Sequence, residues 1–300
     1  MIELTSDALR LVVDPARGAV ISSIVATDPG VELLYEAHWP PAPLETASRD
    51  EVAWTKAWQG GWNVLFPNAG ASCSFEGRDH PFHGEASITP WTVVEAGADA
   101  ARVRWSDGEL VVDRLVGVDG ASVSVTSTVS NAGGSRRWYL LVEHVILGAE
   151  LLGASTVVAA EATRLVPLAD EGPPLPGTPR PWPEAVRARS VEDWSVRPSP
   201  PASRCGALDH VRDRTVVVQA PAAGLETRIS WSEAFPSLWF WEEREGYDTE
   251  PWEARTVCLG LEPATASTGE GLAAAVERAE APSLAPGEEA TYRVELEVRS

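Results

Sequence analysis

The sequence has few cysteines and no long apolar run, and both absences narrow the possibilities. It contains three cysteines among 300 residues, together with one methionine and one lysine. Cys73, Cys205 and Cys258 are odd in number and widely spaced, so we expect neither a disulfide framework nor a zinc ribbon. No apolar stretch approaches the ~20 residues needed to cross a bilayer. Met1-Ile2-Glu3-Leu4 lacks the basic start and apolar run of a signal peptide, so we predict a cytoplasmic protein.

Positive charge is also scarce, with 24 Lys and Arg against 44 Asp and Glu, and the net charge is −20. A surface this negative repels nucleic-acid phosphates and anionic lipid headgroups. We therefore expect no nucleic-acid partner and no membrane partner. A neutral small molecule is the ligand that this charge favours. We expect a monomer or a homodimer.

Short alternating segments separated by turn residues dominate the chain. Period-2 alternation is typical of half-buried strands, and about a dozen such segments predict an all-β sandwich or barrel rather than βαβ units. The segments expected as strands are Ala8–Val13, Ala19–Ala26, Leu110–Val118, Ala121–Ser130, Arg136–Ile146, Thr215–Ala220, Leu225–Trp231, Ser237–Glu242, Thr256–Glu262 and Ala290–Val298. Asp119-Gly120 is expected to form a hairpin turn. We predict one domain over residues 1–300.

Three segments do not follow the strand pattern. His38–Gly61 shows little period-2 order and is expected to be a long loop. Leu165–Cys205 holds ten of the 24 prolines, which lack the N–H that a sheet needs, so we expect an ordered loop, edge or polyproline segment. We predict that it packs near the mouth of the ligand pocket. Gly271–Glu280 has good helix formers but is short, and a helix or a loop are both open.

The stretch richest in chemical groups runs from Gln59 to Gly70 and continues through His80–Ser87 to Trp91. Glycines, tryptophans, amides, histidines and a carboxylate occur together in it. Glycine permits close approach of the backbone to a ligand, and tryptophan offers a flat apolar face that suits the C–H groups of a pyranose. A core loop pinned by tryptophans, with a structurally bonded histidine, explains the same composition and stays open.

Two further candidates lie on apolar strands. His144 comes late in the strand that includes Trp138, and a lone histidine in such a place is more often a core residue than a catalyst. Glu262 ends the segment Thr256–Glu262 just before Pro263, where burial would raise the pKa of a carboxyl group. A glutamate that is simply the first solvated residue after the strand is the alternative.

Taken in order, these motifs resemble the aldose 1-epimerase, or galactose mutarotase-like, superfamily. The resemblance rests on Gly60–Gly70, His83-Gly84-Glu85, His144 and Leu261-Glu262-Pro263, and it extends across most of the chain. It implies an all-β fold, a large antiparallel β-sandwich of the galactose mutarotase-like supersandwich type, whose concave face binds a monosaccharide. The likeness is greatest to a divergent bacterial branch of the superfamily.

The resemblance also implies roles for individual residues. Glu262 matches the family's base, and His83 and His144 match its two histidines. We assign His144 as the acid and His83 as the donor that helps position the sugar, but the two histidines could exchange these roles, and no cofactor is needed. Expected substrate contacts are Asn68, Trp62, Glu85, Glu143 and Trp241. The sequence departs from the family at Ala69, where the family has arginine, and at Glu143, where it has asparagine. The family's substrate-binding aspartate has only Asp193 and Asp209 as loose candidates.

Two other functions remain open on the sequence. His80, His83, Glu85 and His144 could ligate a divalent metal in a β-barrel enzyme, although Pro81 follows His80 and the usual HxH spacing is absent. A non-catalytic carbohydrate-binding domain could use the 13 tryptophans of the chain to stack sugars. Our first prediction is an aldose 1-epimerase-like isomerase that interconverts the anomers of a hexose without a metal.

Overall fold

The chain folds into antiparallel β-structure in a computed structural model that describes residues 1–43, 50–168, 179–187 and 190–300. Two short helices, α1 (Glu51–Ala57) and α2 (Leu272–Glu277), and a 3-10 turn at Glu85–Ser87 accompany the strands. The strands are β1 (Ile2–Thr5), β2 (Leu9–Asp14), β3 (Val20–Ala26), β4 (Val31–Glu32), β5 (Trp62–Leu65), β6 (Cys73–Phe75), β7 (Arg78–His80), β8 (Thr92–Ala96), β9 (Ala100–Ser106), β10 (Leu110–Asp119), β11 (Ser122–Asn131), β12 (Arg137–Trp138), β13 (Val142–Leu147), β14 (Val157–Pro167), β15 (Glu184–Arg187), β16 (Ser190–Asp193), β17 (Ala202–Ala220), β18 (Leu225–Trp231), β19 (Ser237–Arg244), β20 (Val257–Ala264), β21 (Ser283–Leu284) and β22 (Glu289–Arg299).

Sixteen of these strands form one sheet, in which β14 pairs with β17 and β4 with β3 off the main path. The path runs β1-β2-β3-β5-β13-β20-β19-β17-β18-β22-β11-β10-β9-β8. Its pairings are antiparallel. The sheet curls so that its two ends approach each other. A backbone hydrogen bond shows this, in which the N–H of Thr5, on β1, donates to the carbonyl of Ala98, which follows β8, at 2.8 Å. The all-β, antiparallel fold predicted from the sequence is confirmed.

Strand alternation divides the interior into two apolar layers. On β13, Val145 and Leu147 face the main core, whereas Val142 and Ile146 belong to a second cluster on the other face. Successive side chains of a strand point to opposite faces, so each central strand contributes to both layers. Both faces of β13 are buried along its whole length. Polar side chains on the second face therefore lie against protein.

The structure corrects four expectations about local structure. The predicted loop His38–Gly61 contains α1, which begins where the Asp50 carboxylate accepts the N–H of Ala53 at 2.8 Å. This N-cap compensates for a helix of only two turns. The β10–β11 turn is Gly120-Ala121 rather than Asp119-Gly120, because Asp119 still pairs with Ser122.

The other two corrections concern longer segments. Arg136–Ile146 is divided into β12 and β13, with an unpaired interval from Tyr139 to Leu141. The described part of the proline-rich segment includes the hairpin β15–β16 and the start of β17; residues 169–178 and 188–189 of that segment lie outside the described residues. The open question at Gly271–Glu280 is answered by α2. Neither helix in the described part of the chain is long and apolar enough to cross a membrane.

Candidate active site

The register of the central strands places His144 and Glu262 side by side. Val142 pairs with Ala264 and Ile146 with Gly260, so His144 on β13 stands opposite Glu262 on β20. Their Nε2 and Oε1 atoms are 3.8 Å apart, and both residues are at least 95% buried. The same row of the sheet continues to Trp239 on one side, which pairs with Glu262, and to Asn63 on the other, which pairs with His144.

A glycine makes room for the Glu262 carboxyl group. Gly260 is two residues earlier on β20, on the same face of the sheet. A Cβ atom built on Gly260 would lie 2.4 Å from Oε1 of Glu262 and 3.0 Å from Cδ1 of Ile146. Any larger side chain at this position would displace the carboxyl group, because it lies directly over the glycine backbone. Gly260 therefore permits the orientation that Glu262 has in the cavity.

His83 reaches the same place from the loop after β7. Its φ of 61° is left-handed, and Gly84 follows with a φ of 75°. The loop is held by a reciprocal pair of bonds, in which the Gly70 N–H donates to Nδ1 of His83 and the His83 N–H donates to the Gly70 carbonyl, both at 3.0 Å. Since Nδ1 accepts, the ring proton is on Nε2, which is then a donor. The rings of His83 and His144 are 5.5 Å apart.

Burial governs the protonation of all three groups. Desolvation raises the pKa of Glu262 well above its usual range. It lowers the pKa of His144 to about 3, and it lowers that of His83 well below 6.5 with help from the charge of His144. His144 therefore differs from the ordinary histidine acid that the sequence suggests, with a pKa near 6.5. The buried pair favours its uncharged form, a carboxylic acid beside a neutral imidazole.

These three side chains line one cavity of about 500 Å³ whose walls are rich in aromatic residues. This volume falls within the range of ~300–1,000 Å³ typical of small-molecule sites. Trp54 of α1 and Trp58, the residue just after α1, stack at 5.8 Å. Trp58 lies 6.0 Å from Trp241, which contacts Trp252 at 5.7 Å. Flat, apolar rings around a few polar groups form a surface that complements a sugar ring.

Trp62 and Glu143, predicted as substrate contacts, lie instead on the core side of the sheet. Trp62 precedes Asn63 and Glu143 precedes His144. Asn63 and His144 belong to the row of paired residues that includes Glu262, so Trp62 and Glu143 point to the opposite face of the sheet. The Trp62 indole N–H donates to Oε2 of Glu143 at 2.7 Å, and Arg114 donates to Oε1 at 2.6 Å. Trp62 and Arg114 are both fully buried, and Glu143 is 1% exposed. Their contacts identify a buried ion pair within the core.

Asn68 and Glu85 also lie outside the cavity lining. The Asn68 amide donates to the carbonyls of Ala71 and Pro81, and its oxygen accepts the N–H of Leu272 at 2.7 Å. It therefore caps α2, whose own N-cap is a glycine. Glu85 begins the 3-10 turn and lies 3.6 Å from Nδ1 of His80.

The remaining sequence candidates divide between the cavity and the surrounding structure. Trp241 lines the cavity. Two residues of the proline-rich segment Leu165–Cys205 also line it, namely Leu168 and the last residue, Cys205. Asp209 forms an ion pair with Arg164 at 3.5 Å, and Asp193 accepts from Ser195. No group of three or more His, Cys, Asp and Glu within the described ranges is arranged to hold a metal ion. Of the four ligands of the metal-enzyme alternative, His83 and His144 line the cavity, whereas His80 and Glu85 do not.

Sequence reasoning missed much of the aromatic wall. Trp54, Trp58 and Trp252 come from segments without strand periodicity, and Tyr247 and Thr249 lie in the same region of the cavity. One signal was present for α1: Asp50 is a good N-cap, and the helix that follows places Trp54 and Trp58 four residues apart on one face. The sequence offers no comparable signal for Trp252, which lies in an irregular loop.

Comparison with known proteins identifies the family and the fold. The family model described as Domain of unknown function (DUF4432) matches residues 1–298. No curated protein matches the chain. A galactose mutarotase-like protein from Lactobacillus casei is similar at 14% identity and a TM-score of 0.72, with all of both chains covered.

Two other solved structures agree with this result. The aldose epimerase homologue from C. elegans has 15% identity and a TM-score of 0.69, with 99% of this chain and 98% of the other covered. A galactose mutarotase-like protein from Clostridium acetobutylicum has 13% identity and a TM-score of 0.70, with 99% and 94% covered. At these identities the likeness concerns the fold. The chain belongs to the DUF4432 family, a divergent family with the galactose mutarotase-like fold.

Proposed function

We propose that the protein is an aldose 1-epimerase-like isomerase that interconverts the α and β anomers of a monosaccharide. The observation that carries the proposal is the Glu262–His144 pair, 3.8 Å apart and joined by His83 in one aromatic cavity. Ring opening at the hemiacetal needs a base for the proton of the anomeric hydroxyl and an acid for the ring oxygen. One group of each kind stands within reach of a sugar held in this cavity.

The reaction conserves the proton of the pair. Glu262 takes the proton from the O1 hydroxyl as the C1–O5 bond breaks, and His144 donates a proton to O5, which gives the open-chain aldehyde. Rotation about C1–C2 presents the other face of the carbonyl. The O5 hydroxyl then attacks C1, returns its proton to His144, and O1 recovers a proton from Glu262. We assign His83, through its Nε2–H, to hydrogen bonding near the ring oxygen.

The cycle starts only after one proton has moved from Glu262 to His144, because burial favours the reverse distribution at rest. Burial favours neutral Glu262 and neutral His144, which together hold one transferable proton. Passing that proton over the 3.8 Å between them creates the carboxylate base and the imidazolium acid. The site therefore contains the required acid and base without a net charge. A carboxyl group with a raised pKa is also a stronger base once it is ionised.

The test is the rate of anomer exchange measured by NMR or polarimetry over a panel of aldoses. We expect acceleration above the spontaneous and buffer-catalysed rate for at least one unmodified hexose or deoxyhexose. Binding of sugars without acceleration of any of them would refute the isomerase assignment.

The aromatic wall favours one other candidate, a sugar-binding domain without catalysis. Trp58, Trp241 and Trp252 would stack sugars whether or not the buried acid and base react. The two candidates differ in the Glu262→Gln variant. An isomerase loses turnover, whereas a binding domain has no turnover to lose and keeps its affinity.

A further inference from the structure

Apart from the imidazoles of His83 and His144 and the thiol of Cys205, the polar side chains that line the cavity are acidic or hydroxylic, and no arginine or lysine lines it among the described residues. Glu51 lies at the start of α1 and Glu262 at the base, and Thr249, Ser267 and Thr268 supply hydroxyl groups. A phosphate or carboxylate on a ligand would therefore meet the acidic side chain of Glu51, with no arginine or lysine among the described lining residues to compensate. Like charges at short range disfavour binding most where water is excluded. The lining thus selects against an anionic sugar.

Four described cationic residues that are near the cavity residues in sequence do not line the cavity. Arg197 and Arg204 pair with Glu242, at 2.7 and 3.3 Å, and Glu242 adjoins Trp241 on β19 and so points to the opposite face. Lys56 and Arg255 line a separate hollow of about 400 Å³, together with Glu250 and Glu253.

Three of the five tryptophans that line the cavity have an indole N–H that is already hydrogen-bonded. The indole N–H of Trp54 donates to Ser87 Oγ at 3.1 Å, and that of Trp58 donates to Asn63 Oδ1 at 3.0 Å. The N–H of Trp239 donates to the Ala266 carbonyl at 2.7 Å. These three rings can therefore stack on C–H groups but cannot hydrogen-bond sugar hydroxyls. A hydroxyl buried without a partner loses its hydrogen bonds to water, so each extra hydroxyl on the ligand is disfavoured in such surroundings.

We propose that the substrate class is an uncharged monosaccharide with an apolar C6 end, a 6-deoxyhexose, which rests on the isomerase function proposed above. The methyl group of such a sugar packs against the indole faces, and its ring hydroxyls near C1 and O5 meet the polar row of Glu262, His144 and His83. Phosphorylated and acidic sugars are disfavoured by the acidic side chain of Glu51.

The experiment compares sugars that differ only at C6. Four sugars share the galacto ring configuration and differ at C5 in the substituent they carry. It is methyl in D-fucose, hydroxymethyl in D-galactose, carboxylate in D-galacturonate and a phosphorylated hydroxymethyl group in D-galactose 6-phosphate. The corresponding gluco series, with quinovose, and the L-rhamnose and L-mannose pair cover other configurations. Binding is measured by tryptophan fluorescence and anomer exchange by NMR, at two salt concentrations. We expect the methyl sugar of the best series to bind at least threefold more tightly than its hydroxymethyl partner and at least tenfold more tightly than the anions.

The outcomes separate this inference from the proposed function. Neutral sugars that bind in the expected order without faster anomer exchange support the substrate class and refute the isomerase. Faster exchange with a phosphate or uronate as the preferred substrate overturns the substrate class and leaves the isomerase standing. Glu51→Gln supplies a second readout, because it should narrow the gap between anionic and neutral sugars, and a gap that is unchanged in both the variant and high salt would contradict the electrostatic argument.

Discussion

Replacing Glu143 by glutamine tests whether this residue belongs to the core, as its contacts indicate, or to the sugar site. Arg114 is fully buried and donates to both carboxylate oxygens of Glu143, at 2.6 and 2.7 Å. Glutamine keeps the shape of the side chain but leaves the guanidinium charge without its counter-ion. Breaking a buried pair by removing one partner lowers the free energy of unfolding by about 3–5 kcal/mol. For a chain of 300 residues this corresponds to a fall in Tm of about 5–8 °C.

Thermal or urea unfolding measures the change, with Glu161→Gln as the matched control. Glu161 pairs with Arg212 at 2.5 Å, but both side chains are about two-thirds exposed, so its loss is worth at most about 1 kcal/mol. Removing both core partners, in Arg114→Met with Glu143→Leu, should restore part of the lost stability, because no uncompensated charge remains. A Glu143→Gln protein of unchanged stability but weakened sugar binding would refute the core assignment.

Three further predictions concern the cavity. Because the Glu262–His144 pair needs one proton, turnover should decline as pH rises through the raised pKa of Glu262. Turnover should not decline as pH falls through 6.5, because burial lowers the pKa of His144 to about 3. A pH–rate profile checks both. Glu262→Gln should raise the free energy of unfolding relative to the parent, and this gain should be larger at pH 8 than at pH 4. The parent loses the stability linked to the raised folded-state pKa of Glu262 as pH rises above the unfolded value of about 4.3, whereas glutamine does not titrate. Urea titrations at both pH values measure the difference. Trp241→Ala should raise the KM for sugar about tenfold with little change in kcat, since it removes a stacking surface, and an unchanged KM would argue against stacking there.

Strand alternation explains which site residues could be predicted and which could not. The family-like order of His83, His144 and Glu262 identified three side chains that the structure brings into one cavity. The sequence also suggests Glu143 and Trp62 as substrate contacts. Glu143 precedes His144 on β13, however, and adjacent residues of a strand point to opposite faces, so they cannot both line one cavity. A strict period-2 argument on β13 would have placed Glu143 in the core as soon as His144 was assigned to the cavity.

The all-β fold could be predicted because most strands are regular and amphipathic. β11 shows this plainly, with Val123, Val125 and Val129 all buried as their common parity indicates. The aromatic wall could not be predicted, because it depends on long-range placement of irregular segments. Trp252 comes to the cavity from a loop nearly 200 residues from α1, and no local pattern specifies that contact. The proline content of Leu165–Cys205 predicts irregular structure there, whereas part of the segment forms the β15–β16 hairpin.

The most direct test of the central claim is the rate of anomer exchange with Glu262→Gln, measured on the best neutral sugar. Glutamine preserves the packing over Gly260 but cannot accept a proton, so the account predicts a loss of kcat of about 10²–10⁴-fold with sugar affinity retained. Glu85→Gln is the matched control, since Glu85 does not line the cavity, and it should turn over at the parental rate. A Glu262→Gln enzyme that exchanges anomers as fast as the parent would contradict the account.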